Sequence, residues 1–342
     1  MNSPLVSLGV GHTVLAAPMA GGPSTPGLVT AAAESGSLGF LAGGYKAPDL
    51  LTAQVAEVRG RSGPFGVNLF VPGPLPVDRG EFARYAAALA GEAERYGVRL
   101  DPEPVEDDDA WAAKVDLLLA DPVPVVSFTF ALPGTAVFEA FRRAGTLTVQ
   151  TVTSAEEARA GAAAGADLLA VQASVAGGHS ATWTPRRMPD PVPLPDLVAA
   201  VRAVTDVPVI AAGGLSTPVE VAAALGAGAV AVMAGTALLR SDESGASAVY
   251  QAALADPDRG DPVLTRAFSG RPARGLPNRF ISDFGSLAPF GYPAVHHLTS
   301  PLRKAATAAG DPELVNLWAG AGYRRASSGP AADILRELAS FS

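Results

Sequence analysis

The chain predicts a (β/α)8 TIM barrel of the α/β class carrying a smaller, mostly helical cap, and three observations carry that expectation. Short β-prone runs alternate with helix-like stretches eight times in order. The helix-like stretches close on glycine just before the next run, where a helix C-cap takes positive φ. The chain is 342 residues long and 48% apolar, enough for a barrel core with insertions.

The β-prone runs lie at 14–17, 38–42, 65–69, 123–129, 147–151, 168–172, 207–211 and 229–233. Several are apolar throughout, as expected of parallel strands buried on both faces. Helix starts are marked between them: Ser154 with Glu157, and Thr217 with Glu220, fit capping boxes, the second with Pro218 at the first helical position. Gly36, Gly145, Gly165 and Gly228 supply the helix ends. An open doubly wound sheet could be built from fewer such units; eight in a row favour the barrel.

Two segments break the alternation. Residues 72–120 hold a Pro-rich start, a helical stretch over 81–96 and the acidic run Asp107-Asp108-Asp109. The run reads most simply as a solvated helix N-terminus complementing the dipole, ahead of a metal site. With the tail 261–342, this insertion is expected to form a cap over a barrel made of 1–71 and 121–260.

Composition narrows the chemistry. The absence of cysteine excludes disulfides and thiolate metal sites. A net charge of −8 without a basic stripe argues against nucleic acid, and no apolar run is long enough for a membrane span. No export signal is visible at the N-terminus, so a cytoplasmic protein is expected. The basic cluster Arg271, Arg274, Arg279 reads as solvated or subunit-contacting surface, which allows a homodimer.

In a barrel, chemistry sits on the loops after the strands. The first strand leads into Ala17, Pro18 and Met19, and the second into Gly43-Gly44-Tyr45. Gly213-Gly214 after the seventh and Ala234-Gly235-Thr236 after the eighth are expected to form a phosphate cradle of close backbone amides, the alternative being glycines that only make tight turns. Asn68 and Gln172 end two other strands, and neutral amides suit the edge of a flat heterocycle. Gly177-Gly178-His179 follows the sixth strand, and the lone imidazole titrates near neutral pH without help. His296 lies four residues beyond Tyr292, so on a helix both would share a face lining the pocket, with Trp183 a further wall.

These loops resemble the nitronate monooxygenases, once called 2-nitropropane dioxygenases, which are FMN enzymes on a TIM barrel. The matching pieces are APMAGG (17–22), FGVNLF (65–70), AGGH (176–179), AAGGL (211–215) and MAGTALL (233–239), in the family's order, with YPAVHHLTSPLR (292–303) also similar. Ala173 and Val175 stand where the family usually has glycine and an acid. The resemblance implies FMN contacts from Asn68, Gln172, Gly177, Gly178, Gly214 and Met233 through Thr236, with Met19 against the flavin ring. It makes His179 the catalytic base and alkyl nitronates, or neutral nitroalkanes, the substrates, oxidised with O2 to a carbonyl compound and nitrite.

Three alternatives stay open on the residues alone. One is an FMN reductase using NAD(P)H, of the enoyl-acyl-carrier-protein reductase or quinone reductase kind. Another is a flavin-free barrel binding a phosphorylated metabolite. The last is a flavin-binding protein without turnover.

Overall fold

The computed structural model describes residues 4–61, 63–73, 75–187 and 190–340. Strands β1 (Val14–Ala16), β2 (Phe40–Ala42), β3 (Gly66–Phe70), β4 (Val125–Thr129), β5 (Leu147–Val152) and β6 (Leu168–Gln172) begin the barrel. A two-residue strand β7 (Gly178–His179) leaves it, and β8 (Val209–Ala212) and β9 (Ala231–Ala234) complete it. The barrel strands run β1-β9-β8-β6-β5-β4-β3-β2, every neighbouring pair parallel. A parallel bridge between Ala16 and Gly39 joins the two ends, with the Ala16 amide donating to the Leu38 carbonyl at 2.9 Å. All eight expected strands are present.

Alternation along the strands sorts the core. Leu15, Phe40, Val125, Val149, Leu168, Ile210 and Met233 fill the barrel interior, while Val14, Leu41, Val67, Val126 and Val232 face the outer helices. Gly66 is dictated by this filling: a Cβ there would lie 2.3 Å from the Phe40 ring. The capping signals hold in half. Ser154 and Thr217 accept from the Glu157 and Glu220 amides, but each glutamate reaches one residue further back, to Thr153 and Ser216.

A second core lies over the barrel mouth. Phe82, Tyr85 and Leu89 of the insertion pack with Phe268, Phe280, Leu298, Leu302 and Tyr323 of the tail. Not all of the two interrupting segments goes there: Leu118 of the insertion and Ile334, Leu335 and Leu338 of the last helix join the barrel core. The tail also contributes β10 (Val263–Thr265) and β11 (Ala273–Gly275), and β11 pairs antiparallel with β7. That pairing ties the tail directly to His179. Among the described residues, no helix is long and apolar enough to cross a membrane.

Candidate active site

A cavity of about 1400 Å³ opens at the C-terminal ends of the barrel strands. Ala17, Pro18, Met19, Asn68, Gln172, Gly177, Gly178, His179, Gly213, Gly214, Met233, Gly235 and Thr236 all line it, as do Tyr292 and His296. Ala234 and Trp183 do not. Ala234 is buried, with its carbonyl accepting from the Ala17 amide. Trp183 is turned against the barrel core, and its ring N–H donates to the Thr151 carbonyl at 3.2 Å.

At one end the loops after β8 and β9 present backbone. Gly213 and Gly214 have φ of +105° and +73°, a pair of left-handed residues that leaves a concave row of amides. Among the described residues, the amides of Gly213, Gly214 and Gly235 are not committed to any acceptor. Thr236 Oγ1 accepts from the Gly320 amide at 3.0 Å, so the tail closes this end. Gly177 serves the same closure: a Cβ there would stand 2.6 Å from the Gly320 nitrogen.

The amides expected to face a ring are partly spent on the protein itself. Gln172 donates from Nε2 to the His179 carbonyl at 3.2 Å and accepts the Ala181 amide on Oε1 at 2.8 Å. It thus brackets the His179 segment. Asn68 donates to Ser127 Oγ and Thr129 Oγ1 at 3.1 and 2.9 Å. Ala173 has no positive φ, so a methyl is accommodated there without backbone strain.

A further wall of the cavity is made of rings, with cations beside it. The His179 ring packs 5.8 Å from Phe130, 5.7 Å from Tyr292 and 5.5 Å from Trp318, centroid to centroid. Its Nε2 is 2.8 Å from Ser269 Oγ, and that same hydroxyl lies 3.2 Å from the Arg271 carbonyl and 3.4 Å from the Arg271 amide. One proton assignment satisfies all three contacts: Ser269 donates to the carbonyl, Nε2–H donates to Ser269, and Nδ1 keeps its lone pair. Burial, then the charges of Arg271 and Arg303, lowers the His179 pKa to about 3. The imidazole is therefore neutral at physiological pH.

Arg271 corrects an expectation. It is not surface: it is 2% exposed, its guanidinium lies 4.0 Å over the Phe130 ring, and it donates to the carbonyls of Ser180 and Thr182. Its sequence neighbours Arg274 and Arg279 are also engaged, with the Ser174 carbonyl and the Glu92 carboxylate. The buried Glu157 finishes the clamp on this loop, accepting from Thr182 Oγ1 and the Trp183 amide at 3.2 and 2.7 Å.

The acidic run also differs from expectation. It precedes the helix Trp111–Ala120 as a loop at the cavity mouth. Asp109 accepts the Tyr45 amide at 3.0 Å and pairs with buried Lys114 at 2.8 Å, while Asp107 Oδ2 lies 2.9 Å from His297 Nε2. The Asp109 contact anchors the backbone of Tyr45, whose φ is +64° and whose ring stacks on His296. Tyr292 precedes the helix Ala294–Ala308 rather than sharing its face, and reaches the cavity from the turn. Tyr45, Phe130, Ser269, Arg303 and Trp318 escaped the sequence reading as site residues. The glycine-flanked position of Tyr45 and the place of Arg303 within YPAVHHLTSPLR were the available signals.

Over residues 2–340 the sequence matches the nitronate monooxygenase family. The chain belongs to that family. Probable nitronate monooxygenases of Staphylococcus aureus strains JH9 and Newman are 34% and 35% identical to it, each match covering 97% of this chain and 94% of the relative. The solved nitroalkane oxidase from Streptomyces ansochromogenes is 48% identical with a TM-score of 0.94, over 99% of this chain and 97% of that one. FabK from Thermotoga maritima is more distant, at 26% identity and a TM-score of 0.77, over 99% of this chain and 95% of that one. Membership of the nitronate monooxygenase family makes this protein an oxidoreductase and implies a flavin cofactor.

Proposed function

We propose that the protein uses FMN to oxidise alkyl nitronates with O2 to a carbonyl compound and nitrite, with neutral nitroalkanes as poorer substrates. The residues fit the cofactor. Uncommitted amides at Gly213, Gly214 and Gly235 offer donors to a phosphate, and Thr236 closes the same end. At about 1400 Å³ the cavity exceeds the roughly 300–1,000 Å³ of ordinary small-ligand sites, leaving room for a substrate beside the cofactor. Bound FMN would accept the electrons that the substrate carbon gives up.

The observation that carries the reading is the wall of rings around His179. A neutral imidazole held by Ser269 stands within the field of two cations, the buried Arg271 and the half-buried Arg303. Such a wall favours an anionic substrate over a neutral one, because each guanidinium attracts negative charge and opposes protonation of His179. His179 Nδ1 takes the α-proton when the substrate arrives as the neutral nitroalkane. The resulting nitronate then sits beside the imidazolium, offsetting the cost of charging it. Gln172, Glu157 and Arg271 hold the loop on which this happens.

The structural likeness to FabK keeps a reductase reading in view. One experiment separates the two: identify the bound flavin by mass, then assay nitrite release from ethylnitronate and anaerobic flavin bleaching by NADH and NADPH side by side. The expected result is FMN, nitrite release with nitronate, and no rapid bleaching. Rapid bleaching without nitrite release would replace the proposal with the reductase.

A further inference from the structure

His296 lies on the helix Ala294–Ala308 and stacks flat on Tyr45, with ring centroids 4.0 Å apart and planes 4° from parallel. Two turns further along that helix, Arg303 reaches back to it. Arg303 Nη2 is 3.2 Å from His296 Nδ1 and donates to the His296 carbonyl at 3.1 Å. Its Nε donates to Thr299 Oγ1 at 3.1 Å and its Nη1 to Asn316 Oδ1 at 2.9 Å. The guanidinium is thereby fixed on several sides.

This contact decides a tautomer. A guanidinium has five N–H donors and no lone pair to offer. Arg303 stays charged at neutral pH even though burial lowers its pKa to about 10. His296 Nδ1 must therefore be the acceptor. Burial, then Arg303 and the His179 imidazole, keeps His296 neutral by pushing its pKa well below the usual range. A neutral imidazole with a lone pair on Nδ1 carries its hydrogen on Nε2. Among the described residues that N–H has no acceptor, and the side chain lines the same cavity as His179, Tyr45 and Tyr292.

The two histidines thus present opposite polarity to one space. Ser269 leaves His179 with a lone pair on Nδ1, and Arg303 leaves His296 with a hydrogen on Nε2. We propose that His296 is an oriented hydrogen-bond donor which recognises the anionic oxygens of the nitronate, with Arg303 as its positioning residue. The proposal rests on the nitronate reading of the site. A nitronate carries a full negative charge on its two oxygens, whereas a neutral nitroalkane offers much weaker acceptors. The donor therefore discriminates between them through a charge-assisted bond, worth about tenfold or more in affinity.

The test is an anaerobic titration of the flavin-loaded, full-length enzyme with ethylnitronate and with nitroethane, followed by flavin absorbance. His296→Phe keeps a ring on Tyr45 and removes the N–H; His296→Gln restores a donor. His296→Phe is expected to weaken ethylnitronate binding about tenfold and nitroethane binding less than twofold, with His296→Gln recovering most of the loss. Equal losses for both ligands, or no loss, would overturn the proposal while leaving the function intact. A wild-type enzyme that releases no nitrite from ethylnitronate would instead overturn the functional reading on which it rests. Imidazole 15N shifts of the wild-type protein give an independent check: hydrogen on Nε2 of His296 is expected, and hydrogen on Nδ1 overturns the tautomer.

Discussion

The two ends of the cavity are held by different physics. At the glycine end, Gly213, Gly214 and Gly235 present main-chain amides, and the barrel itself sets their positions. At the ring end, His179, Tyr45 and Tyr292 are held by partners far away in sequence, Ser269, Asp109 and Tyr45 respectively, and His296 by Arg303 two turns along its own helix. Backbone is suited to a constant group such as a phosphate. Side chains set the charge and hydrogen-bond polarity seen by the reacting group, and the tail supplies many of them.

That difference predicts separable failures. Gly213→Val should have the largest effect, because φ there is +105° and a Cβ would meet the Ala173 carbonyl at 3.1 Å. Flavin should no longer copurify, as measured by the absorbance ratio at 450 and 280 nm (wavelengths of roughly that value serve any flavin), while circular dichroism stays that of the folded barrel. Full flavin content in this variant would remove the glycine end as the phosphate site.

Arg271→Met should do the reverse. Flavin content is expected to persist, while thermal stability falls by about 2 kcal/mol because the Ser180 and Thr182 carbonyls lose their buried donor. Turnover of ethylnitronate should fall with it, and Arg271→Lys should recover part of the stability but less of the turnover, since an ammonium cannot bridge both carbonyls as a planar guanidinium does. A loss of flavin equal to that of Gly213→Val would erase the distinction between the two ends.

The smallest expected effect concerns pH. The folded pKa of His179, about 3, lies below its unfolded value of about 6.5. The unfolded chain then takes up a proton that the folded one refuses, so this histidine's contribution to stability is complete above about pH 6.5 and declines as pH falls toward 3. Melting temperature should drop from pH 7 to pH 5, and drop less in His179→Asn. Equal drops in the two proteins would show that His179 is not held neutral.

Much of the glycine end could be read from sequence, and much of the ring end could not. A parallel strand buried on both faces is an apolar run, and a loop that needs positive φ is written as glycine, so β8 with Gly213-Gly214 announced itself. The sequence predicts Arg271 on the surface with Arg274 and Arg279, because a cluster of arginines usually seeks water. Its actual partners are carbonyls at 180 and 182, which every sequence possesses and none advertises. Gln172 fell between: its place at the end of β6 was legible, but its use as a bracket on His179 depends on how the loop returns. Trp183 departs from its expected place for the same reason, since the loop packs its ring against the barrel core with the N–H on the Thr151 carbonyl.

The most direct measurement is nitrite release by wild-type and His179→Asn enzymes, both flavin-loaded, from nitroethane and from preformed ethylnitronate. If His179 is the base, the variant should lose about 100-fold or more of its turnover with nitroethane. It should keep most of its turnover with ethylnitronate, whose α-proton is already gone. Unchanged nitroethane turnover in His179→Asn would contradict the account.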